Sequence, residues 1–264
     1  MELPTYRTEP KGVNPNVLLL YGTPKSGKTK ITSQLEDSLI LELEPGGGDF
    51  VSGRIMEINN PKDFNESLGL IESSPTKVCT YLVVDTITKL DEWSEYVGTY
   101  DYMEKAQGKK FNRIGDPGKE TKITHKDPRF ETVHVLPNGN GYQYSRNVMS
   151  TWYDRLLNLI PAGKVDHIIL VAHIKDKMIE TKRGDIVDAI DLNLTGKVRT
   201  NYASRVDAIG FFYRKDKQGI LNFDNDYKVV CGGRCPHLDR EFVISEKMED
   251  GTIKTYWDKI YLKS

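Results

Sequence analysis

The sequence predicts an α/β fold: a mostly parallel central sheet flanked by helices, with antiparallel hairpins towards the C-terminal end. Three observations lead there. Apolar runs of strand length, such as Val17–Tyr21 and Ile168–Ala172, alternate with helix-compatible stretches, the pattern of βαβ units around a buried sheet. The first of these runs passes through a glycine-bounded loop straight into an amphipathic segment, Lys30–Glu36. Beyond residue 214 the chain changes to alternating runs broken at Asp216–Gly219 and Asp250–Gly251, the spacing of hairpins.

The elements follow in order. Residues 1–16 hold Pro4, Pro10, Gly12 and Pro15 and read as an irregular lead-in. Strand one is Asn16–Tyr21, and a helix follows the glycine loop to about Leu35. Strand two is Ser38–Glu44, stopped by Pro45-Gly-Gly-Gly-Asp49. Arg54–Ile58 is a short edge strand. Asn60 and Pro61 read as N-cap and first position of a helix reaching about Glu72. Lys77–Thr86 is strand three, and a helix through Leu90, Trp93 and Tyr96 comes next. Residues 107–138, rich in Gly, Pro, Lys and Asp, read as a loop-rich insertion with a short strand at Glu131–Val135. Tyr144, Val148, Trp152 and Leu156 recur every four residues, the apolar stripe of a helix over Tyr142–Ile160. Strand four is Val165–His173, followed by a polar stretch to Leu194, a helical turn at Asn193–Ala203 and strand five at Arg205–Tyr213. Residues 214–264 form a ribbon tail, and the whole of 1–264 reads as one domain.

The 264 residues are 38% hydrophobic and 28% charged, a globular balance with enough apolar material for a core. No apolar run approaches the ~20 residues of a membrane span, so no membrane partner is expected. Met1–Arg7 has no apolar core and does not read as a signal peptide. Cys79, Cys231 and Cys235 make no disulfide framework, which points to a reducing cytoplasm. The net charge of −1 excludes a protein that coats nucleic acid by bulk charge. Any such contact would come from local patches or from repeated subunits.

Chemistry concentrates at Gly22-Thr23-Pro24-Lys25-Ser26-Gly27-Lys28-Thr29, a G-x-x-x-x-G-K-T loop between strand and helix. Loop N–H groups and a helix N-terminus can surround a phosphate there. Lys28 is expected on the β- and γ-phosphates of ATP and Thr29 on Mg2+. Some sixty residues on, Leu82-Val-Val-Asp85 is a buried strand ending in a carboxylate, the second Mg2+ group. Another strand separates these two motifs in sequence, which suggests the class of phosphate-loop proteins that keep a strand between them in the sheet. Thr86 follows Asp85, so no catalytic carboxylate sits beside it. Glu42 and Glu44 share one face of strand two, and Glu44, at the tip, is the better general base. His173 ends strand four, where a polar side chain can sense the γ-phosphate. Cys231, Cys235 and His237 have the spacing of half a zinc site, with no fourth ligand evident.

In the order of these motifs the chain resembles the RecA superfamily, and most closely its phage-encoded ATPases of single-strand annealing and recombination. The resemblance runs from about Asn16 to Phe242. It is carried by Gly22–Thr29, Leu43-Glu44, Leu82–Thr86, Gly139–Tyr142 with the Arg146 helix, Val171–Lys177, Leu194–Asp207 and Gly233–His237. It implies a RecA-like core with Glu44 as catalytic glutamate, His173 as phosphate sensor and segment 175–195 as a DNA-contacting loop. It also implies a basic finger, at Arg234, that reaches the nucleotide of a neighbouring subunit. The implied partners are single-stranded DNA, further copies of the chain with nucleotide at their interfaces, and a single-strand binding protein. The implied location is the host cytoplasm. Candidate DNA contacts are Lys175, Lys177, Lys182, Arg183, Lys197 and Arg199, interspersed with acidic residues. Tyr100, Tyr102 and Phe111, among the lysines of the insertion, suit stacking on bases. The alternative is a nucleotide-dependent switch or scaffold that docks a protein through 107–138. A small-molecule kinase is a weaker third reading, since no arginine-rich lid is evident.

Overall fold

The structure, a computed structural model, describes residues 3, 5, 7, 9, 12–180, 186–225 and 228–263, the side chains of 177–180 and 186–188 excepted. Along the chain come β1 (Val17–Gly22), α1 (Lys28–Thr32), β2 (Ser38–Glu42), β3 (Arg54–Glu57), α2 (Pro61–Ser73), β4 (Cys79–Asp85) and α3 (Ile87–Met103). Then follow β5 (Arg113–Ile114), β6 (Thr121–Lys122), α4 (Tyr142–Asn158), β7 (Val165–Glu180), β8 (Ile186–Leu192) and α5 (Gly196–Arg205). The chain closes with β9 (Ala208–Lys215), β10 (Gln218–Asn222), β11 (Gly232–Gly233), β12 (Glu241–Lys247) and β13 (Ile253–Thr255).

The main sheet runs β3-β2-β4-β7-β1-β9-β10-β12-β13. From β3 to β9 every pairing is parallel. Beyond β9 every pairing is antiparallel. Strand β7 lies between β1 and β4, so the phosphate-loop strand and the Asp85 strand are separated in space as the motif order suggests.

Both faces of the sheet are covered, which is why its strands read as unbroken apolar runs. Successive side chains point to opposite faces. Leu19 and Tyr21 join Leu41, Leu82, Val84 and Leu170 beneath α2–α5. Leu18 and Leu20 join Ile40, Val83 and Ile169, covered by Ile31 and the C-terminal Trp257 and Ile260. Fully burying each such aliphatic side chain contributes roughly 1.5–3 kcal/mol. Helix α2 starts where its cap predicts: the Asn60 side chain accepts from the N–H groups of Lys62 and Asp63, with Pro61 next.

Two expectations are corrected. The polar stretch after His173 is not a loop. Strand β7 continues to Glu180 and β8 returns antiparallel, with Ile174 opposite Leu192 and Lys175 opposite Asp191. The base of this ribbon packs on the core through Ile174, Ile190 and Leu192, while charged residues interrupt the apolar pattern along it. Glu131–Val135 is not a strand either; Val133–Val135 is a 3-10 turn. The Val133 N–H donates to Thr99 Oγ1 of α3, at 2.9 Å, and the side chain is buried. The rest of the insertion also folds onto α3 and α4. Asn112 exchanges two hydrogen bonds with the Glu131 backbone, each 2.9 Å long.

Gly98 sets how closely α4 approaches α3. A Cβ there would sit 2.8 Å from Ser145 N and 2.9 Å from the Tyr144 carbonyl carbon. Backbone atoms cannot swing aside as a side chain can. Gly98→Ala is therefore expected to destabilise the fold by about 1–3 kcal/mol, the usual cost of overpacking. A lower urea midpoint at unchanged slope would register it; an unchanged midpoint would refute this packing constraint.

Candidate active site

The parallel strands deliver their C-terminal ends to one edge of the sheet, and the site is built there. β1 ends at Gly22, where a Cβ would lie 2.3 Å from the Phe212 carbonyl oxygen of β9. Gly27, at φ +102°, turns the loop into α1 through a conformation that favours glycine. The Lys28 ammonium donates to the carbonyls of Gly22 (3.0 Å) and Thr23 (2.8 Å), so it is held under its own loop. It is 5% exposed. Burial lowers its pKa to about 8, against the smaller upward pull of Asp85 and Glu44.

Next to it, Thr29 Oγ1 donates to Asp85 Oδ2 at 2.6 Å, joining the start of α1 to the end of β4. Burial pushes the Asp85 carboxyl up, while Thr29 and Lys28 pull it down. A hydroxyl and a carboxylate in contact are hard oxygen donors. No group of three or more His, Cys, Asp or Glu that could hold a metal occurs among the described residues. This donor set fits Mg2+, which takes one or two protein oxygens and completes its shell with substrate phosphate and water.

The third part joins three strands. β2 and β4 are neighbours, so Glu44, just past β2, meets Thr86, just past Asp85. Thr86 Oγ1 donates to Glu44 Oε1 at 2.8 Å. His173 lies opposite Gly22 across the β1–β7 pairing, and its Nε2 is 2.9 and 3.1 Å from the two Glu44 oxygens. The His173 hydrogen bond holds the Glu44 carboxyl below its usual range, aided by Thr86 and opposed by burial. The ionised form is the one able to accept a proton. Glu42, the other carboxylate of that strand, is 7% exposed and accepts from the Gly48 N–H. A Cβ on Gly47 or Gly48 would come within 2.8 or 2.9 Å of its oxygens. Glu42 thus holds the glycine turn, leaving Glu44 facing the site.

These residues line a cavity of about 500 Å3 with Pro24, Lys25 and Phe50. Phe50 is 87% exposed at its rim. Sequence reasoning missed it; the available signal was a lone aromatic ring two residues after a run of three glycines.

Arg234 is not brought to this cavity. Its N–H bonds the Asp207 carbonyl and its guanidinium bonds the Ser204 carbonyl at 2.7 Å, beside Asp207. Asp207 in turn bonds Val17, at the opposite end of β1 from the phosphate loop. Of the candidate DNA contacts, Lys182 and Arg183 lie outside the described residues, as does the side chain of Lys177. Lys175 is exposed at the start of the ribbon, and Arg199 is paired with buried Asp191. Lys197 lines a second cleft, of about 360 Å3, with Gly139, Tyr142 and Arg146. The N-termini of α4 and α5 both reach this cleft, and neither has a side-chain cap. The segment that starts α5 is tied to the first site, since Asn193 N–H donates to the His173 carbonyl at 3.0 Å. The Cys231 thiol donates to the Asp224 carbonyl, Cys235 packs in the core and His237 bonds the Ile260 carbonyl.

Residues 14–235 match the family model of an AAA domain. No curated protein sequence matches the chain. Among solved structures, the chain is similar to the crystal structure of the RadB recombinase, with 12% identity, a TM-score of 0.45 and 93% of each chain covered.

The lowered Lys28 pKa gives a signed pH dependence. Below about 8 the folded and unfolded chains both carry this proton. Between about 8 and 10.5 only the unfolded chain does, so this group adds stability as pH rises through that window. Relative to Lys28→Met, the wild type is expected to gain up to about 3 kcal/mol across it. Urea midpoints of both proteins at several pH values give the measurement, and a constant difference would contradict the assignment.

Proposed function

The chain belongs to this AAA domain family, and we propose that it is a Mg2+-dependent ATPase that acts on single-stranded DNA. The observation that carries the reading is the Glu44–Thr86–His173 cluster, facing Lys28 and the Thr29–Asp85 pair across one cavity. Each residue has a distinct part. Lys28 exchanges its two carbonyl partners for β- and γ-phosphate oxygens, which restore its full positive charge. Thr29 and Asp85 would hold Mg2+, which would supply neutralisation of the phosphate charge. Glu44 orients the attacking water and takes its proton. His173 and Thr86 position that carboxylate and keep it ionised beforehand. Phe50 offers a ring at the rim, where the nucleobase leaves the phosphate loop.

The second cleft supports the DNA reading. Two helix N-termini without side-chain caps, with Arg146 and Lys197 beside them, are suited to backbone phosphate oxygens. The backbone bond between Asn193 and His173 ties this cleft to the first cavity, which supports a link between the two sites. Annealing or recombination, the setting implied by the RecA-type resemblance, is the role we assign. Another copy of the chain supplies the basic finger, through Arg234, that the cavity lacks.

Glu44→Gln is expected to bind Mg·ATP while turnover falls roughly a hundredfold or more. ATP binding by calorimetry and phosphate release measure the two quantities, and turnover at the wild-type rate would remove Glu44 from the mechanism. Arg146→Ala and Lys197→Ala are each expected to weaken oligonucleotide binding at low salt, lowering the slope of log affinity against log salt by about one. Unchanged affinity and slope in both would detach this cleft from DNA.

A further inference from the structure

A second cavity adjoins the cationic cleft and has a different character. It measures about 470 Å3; Leu136 and Pro137 form part of its wall, the rest is Tyr102, Tyr144, Gln107, Asn140, Gln143 and Asn147, and no charged side chain lines it. Four carboxamides and two phenols are a lining built from neutral donors and acceptors beside flat rings. Among the described residues, the carboxamides of Asn140, Gln143 and Asn147 make no hydrogen bond within the protein. Gln107 Nε2 reaches only the Tyr144 hydroxyl, at 3.5 Å.

The two clefts divide the start of α4 between them. Gly139, Tyr142 and Arg146 face the cationic one, and their immediate successors Asn140, Gln143 and Asn147 face the neutral one. Helical spacing makes each set a stripe along the helix, and the two stripes lie side by side. Tyr102 and Tyr144 have ring centroids 5.3 Å apart at an interplanar angle of 71°, so a flat ligand can stack on one ring and meet the edge of the other. Phe111 packs edge-on behind Tyr102, at 5.4 Å. The insertion completes the wall. Gly108, where a Cβ would lie 1.9 Å from the Tyr102 carbonyl oxygen, lets the turn carrying Gln107 press against α3.

The geometry points to a nucleobase subsite: one unstacked base of single-stranded DNA enters the neutral cavity while its backbone phosphate lies in the cationic cleft. The inference rests on the DNA reading above and adds to it what the insertion is for. Phosphate contacts position a strand without reading it, whereas stacking and carboxamide hydrogen bonds engage the base itself. Adenine is the base that Asn and Gln side chains hold with two hydrogen bonds at once. A duplex cannot supply the ligand, because its bases stay stacked.

The test compares a single-stranded dA oligonucleotide with one of equal length whose sugars carry no bases, each titrated by fluorescence anisotropy into the full chain with Mg2+ and a non-hydrolysable ATP analogue. The wild type is expected to bind the dA strand at least about fivefold more tightly, the low end of base stacking on an aromatic side chain. Tyr102→Ala/Tyr144→Ala is expected to shrink that ratio to less than about twofold, with the affinity for the baseless strand and its salt slope kept. Circular dichroism confirms that the variant is folded, and the wild-type comparison stands without it. Equal wild-type affinity for both strands would overturn the subsite and leave the DNA reading intact. Proportional loss on both strands in the variant would also overturn it. Failure of both strands to bind wild type at low salt would overturn both readings together.

Discussion

The position of β7 between β1 and β4 is the constraint on which the site depends. One parallel strand, buried on both faces, spaces the phosphate loop from Asp85 and puts His173 level with Gly22. Because β2 then pairs on the far side of β4, Glu44 arrives next to Thr86 rather than within the phosphate loop. Four strand ends thus bring Lys28, the Thr29–Asp85 pair, Glu44 and His173 together along one edge. None of these contacts needs a long loop to hold it. Catalytic geometry carried on strand ends inherits the rigidity of the core, which suits groups that must sit within ångströms of a reacting phosphate.

A family named for its AAA domain is compatible with this arrangement. The residue after Asp85 is Thr86, so a glutamate cannot act from that position. The chain places its carboxylate one strand over. Thr86 still takes part, by donating to Glu44. Glu42 shows how finely the assignment depends on the fold: two residues earlier on the same strand, it is spent on the Gly48 N–H and on shaping the turn that carries Phe50.

Much of this was legible in the sequence, and what was not has a physical reason. The glycine loop, Asp85 and the strand order they imply rest on apolar runs and backbone conformations that only certain residues allow. Glu44 was separable from Glu42 by its place at the strand tip. The β7–β8 ribbon was not legible, because Ile174, Ile190 and Leu192, which pack on the core, are interspersed with charged residues that read as a loop. Glu131–Val135 imitated a strand through alternation, although only Val133 is buried there and its N–H is bonded to Thr99. The neutral cavity was hidden for a third reason. Asparagine and glutamine on a helix surface are ordinary, and only the folded insertion sets Gln107 and Tyr102 beside them.

The bond from Asn193 to the His173 carbonyl has a thermodynamic consequence. It makes one short segment common to the ATP cavity and to the start of α5. Binding free energies at two sites of one molecule are linked. Whatever factor a strand on α5 applies to nucleotide affinity, nucleotide must apply to strand affinity. On the proposed function, DNA and ATP would share a single coupling factor, and hydrolysis at one site would change affinity at the other.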